Sequence, residues 1–237
     1  MKPIRAMVFP GAHNLPLYMM QDVELVYTKS RDEQIAAIQD QLVDIIHTSP
    51  DNLALDDASG LVPFLSGTVG PLSLMATSGE VADHRLGVDN ARSGFGKLAY
   101  AWLEEHRPTL RYDVVEIGGT PQRFEALQTK KVTMIVTHPP FTQFCERLGY
   151  DNWGRIDHGQ LTLCGVHHIR HTNPCIVDQY REQYRKAITT LASPDGFEIA
   201  LALIEQHLHP PADTLHTMTQ IMREEIIRAG VDIQNEP

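Results

Sequence analysis

Short apolar runs alternate with amphipathic stretches along most of the chain. Residues 4–9 (IRAMVF) form an apolar run that stops at Pro10-Gly11, which predicts a strand and then a turn. Residues 22–28 alternate between apolar and polar side chains and predict a second strand. Ser30, with Glu33 three positions on, is a capping box that opens a helix with Ile35, Ile38 and Leu42 on its apolar face. Further strands are expected at 43–48, 84–89, 112–117 and 132–136. Helices are expected at 93–106 and from Thr120-Pro121 onward, the latter carrying Phe124 and Leu127. From about Asp178 the pattern is helical, over 178–192, 195–208 and 213–229, with Pro210-Pro211 as a break. Such alternation predicts an α/β fold with mostly parallel sheets.

The chain also repeats itself. Ala37-Ile38-Gln39 and Ala126-Leu127-Gln128 lie 89 positions apart, and at that offset Val43 meets Val132, Ile46 meets Ile135, Thr48 meets Thr137 and Pro50 meets Pro139. A helix–strand–loop unit written twice without a gap predicts two similarly built lobes. Ligands bind beyond the carboxyl ends of strands in open α/β sheets. The segments IIHTSPDN (45–52) and IVTHPPF (135–141) are therefore expected to face one cleft. The histidines break the repeat: His47 aligns with Val136, and His138 with Ser49.

Composition narrows the classes. A chain of 237 residues, 42% of them hydrophobic, suffices for one large core or for two lobes. The net charge of -10 and the absence of any Lys/Arg block argue against a nucleic-acid partner. No run of 18 apolar residues occurs, so no membrane span is predicted. The N-terminal MKPIRAMVFPGAH reads directly as a strand, which predicts a cytoplasmic chain as written, or a periplasmic one if a leader has been removed. Cys145, Cys164 and Cys175 contain no CxxC pair and predict no disulfide framework.

The segments GAHNLPLYMMQ, SRDEQIAAIQDQLVDIIHTSPDNL, LGVDNARSGFG, VVEIGGTPQRFEALQTKKV and THPPF, in this order, resemble the type 2 periplasmic-binding-protein fold. Within it they are similar to the SsuA-like solute-binding proteins for sulfonates, taurine and thiamine precursors. The resemblance covers roughly residues 4–190 and implies two lobes with a central cleft, two hinge crossings, and a solute trapped by closure. It places lobe 1 at 1–83 and 165–237, and lobe 2 at 84–164. It implies a small, anionic or aromatic organic ligand, no cofactor, and an ABC permease as partner if the protein is secreted. Leaderless enzymes on the same scaffold imply an alternative, a cofactor-independent lyase such as an aryl- or hydroxy-acid decarboxylase. The cysteine-dependent relatives do not carry over, because the first loop holds His13 where the desulfinases hold a cysteine.

The candidate site residues follow from the strand ends. The first loop offers His13 and Asn14; the loop after the third strand offers His47, Thr48, Ser49 and Asn52. Alternation along a strand places His47 and Thr48 on opposite faces. In the second lobe, Ser93 caps a helix whose start, with Gly94 and Phe95, suits an anion or carboxylate. Gly119 opens a second helix start, and His138 and Phe141 follow the repeated strand, where Pro139-Pro140 stiffens the loop. In the lyase alternative His13, His47 and His138 supply the acid–base groups. His158, Cys164, His167, His168, His171 and Cys175 gather metal-ligating residue types, but their spacing matches no standard zinc site, and no metal is predicted.

Overall fold

A computed structural model describes residues 2–54, 58–79, 81–156 and 163–232. The first sheet contains β1 (Ile4–Val8), β2 (Val23–Tyr27), β3 (Ile45–Thr48), β4 (Leu61–Gly67) and β10 (Leu163–His168), ordered β2-β1-β3-β10-β4. The second contains β5 (Leu72–Ala76), β6 (His84–Val88), β7 (Tyr112–Glu116), β8 (Met134–Thr137) and β9 (Asp151–Ile156), ordered β7-β6-β8-β5-β9. The two orders correspond strand for strand. In each, three strands run parallel and the last two pair antiparallel, so the sheets are mixed where the alternation predicted mostly parallel ones. The antiparallel pairs arise because each sheet receives a strand from a crossing of the chain.

The repeat in the sequence is a repeat in space. Helices α1 (Leu15–Tyr18) and α2 (Arg31–Gln39) accompany the first sheet, and α3 (Gly94–His106), α4 (Thr120–Gln128) and α5 (Phe141–Arg147) the second; α2 corresponds to α4, and β3 to β8, at the offset of 89. Even the turn after the helix repeats: Gln41 and Lys130 both take a left-handed conformation, with φ of 57° and 58°. Ser30 Oγ accepts from the Glu33 amide, as the capping box requires. The Glu33 carboxylate reaches past Ser30 to the Lys29 amide and the Thr28 hydroxyl, bonds that pull its pKa down. Leu42 lies beyond the end of α2 and is exposed; Arg31, Gln34, Ile35, Ala37 and Ile38 form the buried face instead.

The lobe boundary expected at 83/84 falls earlier. Strand β5 pairs with β8 and β9, so the first crossing runs from Gly67 to Leu72, and the return passes between β9 and β10. Gly70 lies in that first crossing with φ of 79°, and a Cβ there would come within 2.4 Å of Met222 Sδ. The left-handed conformation is what favours glycine there, since the flexible Met222 side chain could move aside.

Three long helices, α6 (Pro174–Ala192), α7 (Gly196–Leu208) and α8 (Ala212–Ala229), follow the return. Val177, Tyr180 and Tyr184 of α6 pack with Ile4, Ala6, Ile45 and Leu65 of the first sheet. Helix α8 reaches the second sheet's side, where Glu225 pairs with Arg155 at 3.7 Å and Asp213 with Arg147. Both pairs are exposed enough to add little stability. Among the described residues no single helix is long and apolar enough to cross a membrane.

Candidate functional site

The carboxyl ends of β1 and β3 face those of β6 and β8, and backbone bonds join the two sides. The Ala12 amide donates to Pro139 O at 3.1 Å, and the Gly119 amide donates to Lys29 O at 2.8 Å. Between them lies a cavity of about 40 Å³, room for roughly three water-sized groups. Phe9, His13, Ser49 and Asn52 line it from the first lobe; Asp89, Ser93, Gly94, Phe95 and His138 line it from the second. Gly119, Thr120 and Arg123 of the α4 start complete that side, and Val69 and Leu163 of the crossings close the cavity.

Arg123 brings the positive charge to its lining. Its guanidinium is 3% exposed and donates to Gly118 O at 2.7 Å, to Thr120 Oγ1 at 2.8 Å and to Val136 O at 3.2 Å. Burial lowers its pKa and the nearby Asp89 raises it; an arginine stays protonated in either case. Its Nε has no partner. A buried cation with an unused N–H is suited to a carboxylate or another oxyanion.

The hydrogen bonds fix the neighbouring protons. His138 Nδ1, 3.0 Å from Pro139 O, carries the ring's proton, since a carbonyl only accepts. Nε2 of the neutral ring then accepts from Thr120 Oγ1, 3.0 Å away, and that same oxygen accepts from Arg123. His13 Nε2 lies 3.0 Å from Phe9 O and donates to it by the same reasoning, which leaves Nδ1 as an acceptor. The two imidazoles meet edge to face across the lobes, with centroids 5.2 Å apart. Burial pushes His138 down to about 4. Burial also lowers His13 well below the usual histidine value, helped by His138 and His47. Both rings are neutral at pH 7.

Gly11 makes this meeting possible. A Cβ there would lie 2.5 Å from His13 Nδ1 and 2.6 Å from His138 Cε1.

Of the residues predicted from sequence, His13, Ser49, Asn52, Ser93, Gly94, Phe95, Gly119 and His138 line the cavity together. Asn14, Thr48, His47 and Phe141 do not. Asn14 Nδ2 donates to Phe9 O, and Thr48 Oγ1 accepts from Asn52 Nδ2 at 2.9 Å, so both support lining residues from behind. Phe141 packs with Phe124 and Phe144 and sets its edge against the His138 ring. His47 points into the core, where Nε2 lies 2.9 Å from the Tyr180 hydroxyl and burial pushes its pKa down to about 4.

Protein groups face both helix starts that were expected to hold an anion. The Gly119 amide is used by Lys29 O, and a Cβ on Gly94 would come within 2.3 Å of the Asp51 carboxylate. The positive charge that lines the cavity is Arg123 instead, which sequence reasoning did not select. A signal exists: position 123 shares the buried face of α4 with Thr120, Ala126 and Leu127.

The cysteine–histidine cluster is dispersed. Cys164 Sγ donates to Thr48 O with its thiol pushed up to about 12 by burial; His167 sits edge-on to Phe64; His168 stacks on His171; Cys175 is exposed. His158 lies outside the described residues. Among the described residues no three His, Cys, Asp or Glu side chains gather to hold a metal ion.

No family model and no curated protein matches the chain. Solved structures do. The alkanesulfonate-binding protein SsuA of Xanthomonas axonopodis pv. citri superposes with a TM-score of 0.75 at 11% identity, over 99% of this chain and 88% of that one. The zinc-bound ligand-binding component of an ABC-type import system of Staphylococcus aureus gives 0.75 at 12%, over 100% and 88%. A Candida albicans protein described as having the generic periplasmic-binding-protein fold gives 0.72 at 12%, over 93% and 81%. The chain has the type 2 periplasmic-binding-protein fold. In this fold the cavity just described occupies the cleft between the lobes, and Arg123 belongs to the second lobe.

Proposed function

We propose that this protein captures a small organic acid between its lobes, with Arg123 as the charge anchor, and releases it unchanged. The observation that carries the reading is the buried Arg123 guanidinium, which lines the interlobe cavity with Nε unpartnered. Phe9 and Phe95 supply apolar surface beside it, and Ser49 and Ser93 supply hydroxyls. A mostly apolar pocket with a few placed polar groups is what small-ligand capture needs. A similar fold carries alkanesulfonate in the Xanthomonas protein, which also points to an anion. Related folds serve ABC import systems, so the partner we propose is an importer's permease.

The arrangement gives the lyase alternative little to work with. His47 is in the core, and His13 and His138 are held neutral with their ring protons on backbone carbonyls. None of the three is poised near neutral pH.

A melting-temperature screen of small carboxylates and sulfonates against their uncharged amides tests the proposal. A ligand at 100 times its Kd stabilises the folded state by about 2.7 kcal/mol. Acids are expected to raise the melting temperature and amides to leave it unchanged. Equal shifts for both, or none for any acid, would overturn the reading.

A further inference from the structure

The cavity has buried acceptors left without a donor. Among its lining side chains, three buried acceptor atoms lack a partner: His13 Nδ1, Asn52 Oδ1 and Asp89 Oδ1. On the donor side Arg123 Nε lacks a partner, and the Ser93 hydroxyl, which accepts from the Gly96 amide, still has its proton to give. The Asn52 amide can be turned to offer either atom, because Thr48 Oγ1 both donates and accepts. The other two acceptors have no such freedom. A carboxylate oxygen only accepts, and His13 Nδ1 is an acceptor because Nε2 spends the ring proton on Phe9 O. His138, across the cavity, contrasts with His13: both of its nitrogens are satisfied within the protein.

The charges agree with this inventory. Arg123 and Asp89 act on each other electrostatically, and both line the cavity. With the two imidazoles neutral, the lining carries one positive and one negative side chain, so a bare anion satisfies only half of it. Buried polar atoms left without partners are costly, and a ligand that supplies the missing protons removes that cost.

We propose that the cavity selects an acid that also bears a hydrogen-bond donor close to its acidic group, a hydroxyl received by His13 Nδ1 or Asp89 Oδ1 or an amino group received by both. The inference rests on the acid-capture reading above and narrows it. Arg123 holds the acid, and His13 with Asp89 sets which acid.

The test is calorimetric titration of the full chain with two size-matched series: propionate, glycolate and glycine, then isobutyrate, lactate and alanine. In each series the hydroxy or amino member is expected to bind at least about tenfold tighter than the plain acid, the cost of leaving a buried acceptor unpaired. His13→Phe keeps the ring shape, and Phe9 O still receives the Asn14 amide. In it the preference should fall to within about threefold. Asp89→Ala provides the same reading independently, and should act most on glycine and alanine. Equal binding of all members of a series by the unmodified protein, still abolished by Arg123→Gln, overturns this inference and leaves acid capture standing. Heat from none of the six overturns both.

Discussion

Gln34 and Arg123 occupy the same place in the two halves of the repeat, 89 positions apart, and each donates to the carbonyl of the matching strand residue. Gln34 Nε2 reaches His47 O at 2.8 Å, and Arg123 reaches Val136 O at 3.2 Å. The scaffold therefore solves one structural problem twice, with a neutral amide in one lobe and a cation in the other. The cation is the chemical difference between the halves that bears on the cleft. It also shows that the strand bond does not require a charge.

Thr120 joins that cation to His138, and its hydroxyl is used in both directions. Thr120→Val should leave Arg123 and His138 each short of a partner and cost about 1–3 kcal/mol in urea denaturation. Thr120→Ser should recover most of it. If Val and Ser behave alike, the hydroxyl bridge is not what stabilises the pair.

Gly11→Ala should be costly although the position is extended backbone in a loop. The added Cβ meets both buried imidazoles within 2.6 Å, so the rings must shift from their edge-to-face contact. A loss of about 1–3 kcal/mol is expected, together with weaker acid binding. Unchanged melting temperature and affinity would mean that the rings do not meet over Gly11.

Acid should destabilise the fold through its buried histidines. His47 and His138 fall from an ordinary value of 6.5 to about 4 on burial, so the unfolded chain takes up protons first as the pH drops. Stability is therefore fullest above pH 6.5 and is lost between 6.5 and about 4, by about 3 kcal/mol for each group. His47→Leu combined with Tyr180→Phe removes one titrating group together with its hydroxyl partner. That variant should lose about 3 kcal/mol less across the same range in denaturation measured as a function of pH. An unaltered slope would contradict the assignment of His47 as a buried neutral group.

The sequence carried the lobes through their most regular parts. The β–α–β units and the 89-residue offset are legible because an apolar strand following an amphipathic helix keeps its period wherever the pair recurs. Strands β4, β5, β9 and β10 lie outside the predicted set. Two of them are edge strands, β4 interrupted by Pro63 and β9 largely polar with Gly154, and edge strands show weak hydrophobic pattern. Missing β5 displaced the lobe boundary. At the site, strand-end histidines were the visible signal, yet they separated: His138 shares the cleft position of Ser49, whereas His47 shares the core position of Val136. Arg123 escaped notice because a lone arginine on a helix usually faces water, and only its place on the buried face of α4 marks it otherwise.

The measurement that bears most directly on the anchoring role of Arg123 is titration of an acid into the unmodified protein and into Arg123→Gln. The substitution installs the residue that the first lobe already uses at this place, so the bond to Val136 O and the fold should persist. Acid affinity should fall about 10- to 100-fold, the worth of a hydrogen bond to a charged group. Equal affinity in a folded Arg123→Gln protein would contradict the account.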